Sequence, residues 1–218
     1  MPGARLEVKA KARAKAKTAY HHGNLRHDLV TAALEIINRS GPQGLTLRAV
    51  AVRLGVTAAA TYRHFASKKD LLAAVATDGF TALLAEVCAA TAEAGPDPLA
   101  RYEAMAVGYL RFATAHPDHF RVMYGPQVDF DDVAVPERRA AFEMLTDAIK
   151  ACQAAGVAGA APAWDIANRA WAYAHGVITL HLHGLWHRSI DRRALIEMAR
   201  GIRVFLGDPP GGASRARG

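Results

Sequence analysis

The chain has 218 residues, 51% of them apolar and 22% charged, with 27 basic against 20 acidic side chains. That composition suits a soluble globular protein with a sizeable core and excludes a disordered, collagen-like or disulfide-stapled chain. The positive excess is uneven: residues 1–70 hold thirteen Lys/Arg against four Asp/Glu, and the remainder is slightly acidic.

Residues 1–20 alternate Lys or Arg with Ala and read as a disordered basic arm without the apolar stretch of a secretion signal. Asn24 to Ser40 reads as a first helix, with Leu29, Ala33, Ile36 and Ile37 on one face and Gly41-Pro42 ending it. The stretch TLRAVAVRLGVTAAATYRHFASKKD, Thr46 to Asp70, is the most informative. Thr46 suits an N-cap, and Leu47, Val50, Ala51 and Leu54 form an apolar stripe at helical spacing. Gly55 can end that helix in the left-handed conformation. Thr57 can cap a second helix running to about His64, and Phe65 anchors its end. Ser67 and Asp70 make a capping-box pattern for the next helix. Two short helices around a glycine corner make a helix-turn-helix, whose second helix enters the major groove of DNA. The clustering of positive charge in the same part of the chain supports that reading.

From Ser67 a long helix runs to about Thr91, and Gly95-Pro96-Asp97-Pro98 breaks it. Helices follow over about Leu99–Ala115, Pro117–Tyr124, Pro136–Ala155, Ala163–His187 and Asp191–Leu206, with an acidic loop at Gln127–Asp132. The tail 207–218 is rich in Gly, Pro and Arg and reads as disordered. With β-branched alternation almost absent, the fold is expected to be all-α with about nine helices. Residues 21–66 form the DNA-binding domain and 67–206 a larger helical domain.

Ala170–His187 lacks Asp, Glu, Lys and Arg, yet its four histidines suit a buried or interface helix better than a membrane span. Cys88 and Cys152 are far apart and are read as small core residues of a reducing compartment. His183 and His187 stand at i, i+4 near His181, a spacing able to hold zinc, which leaves a metal-dependent hydrolase as an enzyme alternative. No carboxylate accompanies them, and no catalytic set, metal site or cofactor motif is recognisable, so the chain is not expected to be an enzyme. A ligand-independent architectural DNA-binding protein is the other alternative.

The segments YHHGNLR (Tyr20–Arg26), LTLRAVAVRLGV (Leu45–Val56) and YRHFASKKDLL (Tyr62–Leu72) resemble the TetR family of one-component transcription regulators. Trp171-x-x-x-His175-Gly176 further resembles a subset with a Trp-His-Gly signature in a late helix. The resemblance implies a cytoplasmic homodimer, most often a repressor, released from a palindromic operator by a small apolar or amphipathic effector. By position, Thr46 and Arg48 would meet phosphate. Ala58, Ala59 and Ala60, with Thr57 at the helix start, would face bases. Tyr62 and His64 would contact backbone or bases, and Lys68 a phosphate. Family members often carry glycine, proline or a polar residue at Ala58–Ala60, and an apolar residue at Thr61. Arg63 is the one residue of this helix with a guanine-reading fork. The basic arm suits a phosphate track or an A·T-rich minor groove, with a solubility tail as the alternative.

The effector cavity is expected among the middle helices, at Tyr102, Met105, Tyr109, Phe112, Met123, Phe142, Trp171 and His175, with Phe80 and Leu84 beside them. Tyr109 and His175 would supply its polar groups. Ala167, Ala170, Ala174, Val177, Ile178 and Leu185 form one apolar stripe, and Leu195, Met198, Ile202 and Phe205 another. Both are expected at the dimer surface.

Overall fold

The computed structural model describes residues 24–126, 128, 135–185 and 192–208, without the side chains of Arg192 and Leu195. The basic arm, most of the acidic loop, His187 and the end of the tail therefore lie outside the described residues. Those described form nine α-helices and no strand. The chain divides into two compact units after Lys68, against the expected division after Ala66.

In the first unit, α1 (Leu25–Ser40) turns inward Leu29, Val30, Ala33 and Ile37, the spacing that buries one stripe. Gly41, at φ 68°, ends it, and a 3-10 turn at Pro42–Gly44 leads to α2 (Leu47–Leu54) and α3 (Ala58–His64). Helix α1 packs on α2, and α2 on α3.

The second unit begins within α4 (Lys68–Glu93), whose six consecutive residues Leu71–Ala76 are all buried. A helix buried on every side loses the one-sided polarity of a surface helix, so α4 is long and apolar enough to cross a membrane by composition. More than half of its most apolar window is nevertheless buried in protein. Asp97 caps α5 (Pro98–Ala115) by accepting from the Ala100 N–H at 2.9 Å. Then come α6 (Pro117–Met123), α7 (Pro136–Ala154), α8 (Ala163–Leu182), α9 (Arg192–Gly201) and a 3-10 turn at Ile202–Leu206. Helix α5 is the hub, touching α6, α7, α8 and α9. At Gly108 it runs against the backbone of α4: a Cβ there would stand 2.9 Å from Val87 Cα. The Tyr102 hydroxyl donates to the Ile202 carbonyl at 3.2 Å, and Arg203 pairs with Glu103, fastening the C-terminal turn to α5.

Three expectations need correction. Helix α8 stops at Leu182 instead of His187, because Gly184 takes φ 69° and the Leu185 N–H turns back to the Leu180 carbonyl at 2.9 Å. His183 therefore caps the helix and its Nδ1 is held at 2.7 Å from the Thr179 carbonyl, which removes the helical i, i+4 zinc spacing. Most of the two stripes assigned to a dimer surface lies inside the protomer, although Leu185 is 62% exposed and Phe205 half-buried. Ala167, Ala170, Ala174, Val177 and Ile178 are all buried, as are Met198 and Ile202, and all but Ala174 meet α5 or α6 residues in two core clusters. Of the two cysteines, Cys152 is buried and Cys88 is exposed, since it falls on the outer side of α4.

Replacing Gly108 with alanine inserts a methyl where two helix backbones meet and is expected to destabilise the protein by about 1–3 kcal/mol. Thermal unfolding measures this; an unchanged or raised midpoint would mean that the crossing of α4 and α5 has slack.

Candidate nucleic-acid interface and ligand cavity

The corner of the helix-turn-helix is built from local hydrogen bonds. Thr46 Oγ1 accepts from the Ala49 N–H at 3.0 Å and Thr57 Oγ1 from the Ala60 N–H at 3.2 Å, so each short helix is capped by its own threonine. Gly55 adopts φ 71° and ψ 27°, letting the Val56 N–H reach the Ala51 carbonyl at 3.0 Å.

On the outer surface stand Thr46, Arg48, Thr57, Ala59, Tyr62, Arg63 and His64, with Ala58 half-buried. Tyr62 is 56% exposed, far more than core packing would leave a tyrosine. Ala60 does not belong with them. It is 9% exposed and turned inward, so only two of the three alanines remain on the outward side. Among the described residues Arg48 and Arg63 make no ion pair, whereas Arg53 is held by Glu35 at 2.7 Å and Arg26 lies over the Phe65 ring at 5.1 Å. Lys68 is half-buried and donates to the Pro42 carbonyl at 2.7 Å. One of its three N–H groups is thereby used in steadying the turn after α1, leaving two for a phosphate. Thr61 is fully buried and its hydroxyl has no partner, an unusual cost inside a helix this short.

The second unit holds a half-open cavity of about 650 Å³, within the range of small-molecule sites. Met105, Tyr109, Phe142 and Trp171 line it as expected, together with Phe80 and Leu84. Tyr102, Phe112 and Met123 do not. They are packed into the core around it, Tyr102 with its hydroxyl spent on Ile202. His175 stands one layer back, its Nδ1 and the Tyr109 hydroxyl sharing a hydrogen bond at 3.1 Å. Its ring stacks on Phe120 at 5.1 Å and meets Tyr124 edge-on at 4.7 Å. Burial pushes the His175 pKa down, so the ring is neutral at pH 7. Burial also holds the Tyr109 phenol well above its usual range and raises Tyr124 to about 12, so both keep their protons.

Sequence reading missed Tyr124, Arg138, Arg139, Glu143, Trp164 and Asn168 in the wall. Arg139 and Glu143 pair at 2.7 Å along the exposed side of α7, so in sequence they look like an ordinary solvated face. Trp164 carried a usable signal: a tryptophan just after Pro162, at a helix start, is 58% exposed while its ring lies 4.5 Å from Phe142.

Residues 29–75 match a family model described as bacterial regulatory proteins, tetR family, and residues 102–200 one described as the tetracyclin repressor-like C-terminal domain. The tetracycline repressor protein class C of Escherichia coli is 47% identical over 51 residues, 23% of this chain and 23% of that protein. The tetracycline repressor protein class A from transposon 1721, also of Escherichia coli, is 47% identical over 58 residues, 27% of this chain and 25% of that one. The chain thus matches about a quarter of the length of these curated relatives. Among solved structures, a protein of unknown function from Rhodococcus sp. RHA1 aligns with TM-score 0.76 and 32% identity, covering 87% of this chain and 98% of its own. The TetR family transcriptional regulator PfmR of Thermus thermophilus aligns with TM-score 0.62 and 18% identity, covering 83% of this chain and 97% of its own, and shows the fold alone.

The unpaired Thr61 hydroxyl yields a test. Thr61→Val keeps the shape and removes the orphaned polar group, and should stabilise the protein by about 1 kcal/mol without altering DNA affinity. A lower denaturation midpoint would show that the hydroxyl is satisfied after all.

Proposed function

This chain belongs to the TetR family of transcription regulators, and we propose that it is a cytoplasmic, homodimeric repressor. In this reading it leaves a palindromic operator when a small apolar or amphipathic effector fills the cavity of its second unit. The observation that carries the proposal is one chain holding both an outward-facing α3, with Tyr62, Arg63 and His64 exposed, and a half-open, aromatic-walled cavity. The cavity favours this over an architectural role, which needs no ligand. An effector releases DNA only if it binds the released state better: about 2.7 kcal/mol of differential affinity shifts the odds roughly a hundredfold.

For the base contacts, Arg63 is the guanine reader. Ala58 and Ala59 offer methyl groups, which suit thymine and carry no hydrogen bond. Arg48, the exposed N-terminus of α2 and Lys68 serve phosphate. For the dimer, the outward side of α8 replaces the buried stripe. Ala172, Tyr173, Gly176 and Leu180 lie there at helical spacing, Tyr173 and Leu180 being 37% and 42% exposed. Ile196 and Val204 are also exposed, Val204 at 74%. Small residues flanked by large apolar ones let a second copy of the same helix approach closely across a two-fold axis.

Lys68→Ala should weaken binding to specific and unrelated duplexes alike and lower the slope of log K against log salt by about one unit. Fluorescence anisotropy across a salt series reads both quantities, and a loss confined to one sequence with an unaltered slope would refute the phosphate role. A Cβ at Gly176 would meet nothing within 4 Å of its own protomer, so Gly176→Arg should leave the fold intact and yield monomers. Sedimentation analysis that still finds dimers would place the interface elsewhere.

A further inference from the structure

Helix α8 gives the cavity an inner and an outer end. Trp164 and Asn168 in its first turns are exposed, whereas Trp171 and His175, roughly two and three turns in, are half-buried. The polar groups of the inner end answer one another. The Tyr109 hydroxyl and His175 Nδ1 share a hydrogen bond at 3.1 Å. The Tyr109 and Tyr124 hydroxyls are in hydrogen-bonding contact with each other and with the Trp171 indole N–H. A phenol has one donor and an indole one donor and no acceptor, so this set is largely closed on itself. A ligand's polar group pushed to that end would lose its water without gaining a partner.

The outer end differs. Asn168 lines the cavity with an amide that donates and accepts side by side, and among the described residues its side chain has no partner. The charged side chains of the lining are already engaged. Arg139 and Glu143 pair at 2.7 Å, and Arg138 has an interaction of its own. A ligand ion would have to displace such a contact on the exposed rim, where ion pairs are worth little. An uncharged group with a donor beside an acceptor meets the Asn168 amide in two bonds. A carboxylate makes one and sets its second oxygen against the amide carbonyl.

Between the two ends the walls are aromatic. Phe80 meets Tyr124 at 75° and 5.7 Å, Phe142 meets Trp164 at 60°, and Tyr124 meets Trp171 at 45°. Rings set at such angles offer both faces and edges inward, which a flat ring system uses through stacked and edge-to-face contacts. A flexible acyl chain uses neither and loses more rotamer freedom on binding.

We propose that the cavity takes an uncharged, flat aromatic ligand that is polar at one end only, its rings among the aromatic walls and its hydrogen-bonding end at Asn168. The proposal rests on reading this cavity as the effector site.

Calorimetric titration of the full chain with four probes tests it: 2-naphthamide, naphthalene-2,6-dicarboxamide, 2-naphthoate and decanamide. Relative to the first, the others add a second polar end, add a charge, or replace the flat rings. The 2-naphthamide should saturate a single site per chain with a Kd at least about fivefold below those of the other three. Asn168→Ala should weaken 2-naphthamide about fivefold and shrink its lead over 2-naphthoate. Circular dichroism confirms that the variant folds. A comparable or lower Kd for any of the other probes, heat from none of them, or an Asn168→Ala variant that binds 2-naphthamide unchanged would each overturn the assignment. A gel shift with a duplex selected by the protein from random sequence separates this result from the regulatory reading. If 2-naphthamide binds as expected and the duplex stays held, the ligand class stands and release is refuted. If another probe frees the duplex and 2-naphthamide does not, the regulatory reading stands and the ligand class falls.

Discussion

The corner at Gly55 is the constraint on which the first unit depends. Helix α2 is eight residues long and α3 seven, both too short to persist alone in water, so their caps and their packing must do what length does not. Each cap is a threonine accepting from a backbone N–H three residues on, and the bond between the Val56 N–H and the Ala51 carbonyl locks the turn that joins them. Because the turn needs φ 71°, a β-carbon at position 55 would carry strain even though open space surrounds it. Once that angle is set, burying Leu47, Val50 and Ala51 on one side places Arg48 on the other. The inner and outer roles of each residue follow from a single helical phase.

Helical phase also decides how much the sequence could reveal. Helix starts were legible wherever a side chain or a proline announces them: Thr46, Thr57 and Asp97 cap, and Pro117 and Pro136 begin helices. What periodicity could not show is which apolar side of a helix faces its own protomer. Helix α8 carries two apolar sides, Ala167–Ala170–Ala174–Val177 and Ala172–Tyr173–Gly176–Leu180, and composition favoured the first as the outward one. Packing on α5 and α6 takes it inward instead. Likewise Ala60 and Ala59 are the same residue one position apart, and only the helix phase separates a core methyl from an exposed one. The cavity was half legible for a related reason. Large apolar residues of the middle helices stand out in the sequence, but a residue lining a void and one filling the core have the same sequence signature, as Met105 and Met123 illustrate.

His175 shows how the second unit links its wall to its core. It touches Tyr109 by a hydrogen bond and Phe120, Tyr124 and Trp171 by ring contacts, so three cavity-lining side chains meet at one half-buried imidazole. A neutral ring suits that place. Protonating it would set a charge among aromatic neighbours with no carboxylate in these contacts, and its pKa falls accordingly. Helix α6 supplies Phe120 from the far side, so a change in the position of Tyr109 or Tyr124 is felt there directly.

The size of the cavity also constrains what occupies it. The cavity holds about 650 Å³ and opens to solvent on the side where Arg139 and Trp164 are exposed. A void of that size cannot stay dry, and the polar groups of its wall suit water between ligands. Effector affinity is then a difference. The aromatic walls favour exchanging poorly held water for a ring, whereas water at the polar groups of the wall must be replaced by groups that make the same hydrogen bonds. Selectivity belongs to that second part, because a ligand of the right volume that cannot match a buried polar group leaves it unpaired, at a cost of about 1–3 kcal/mol.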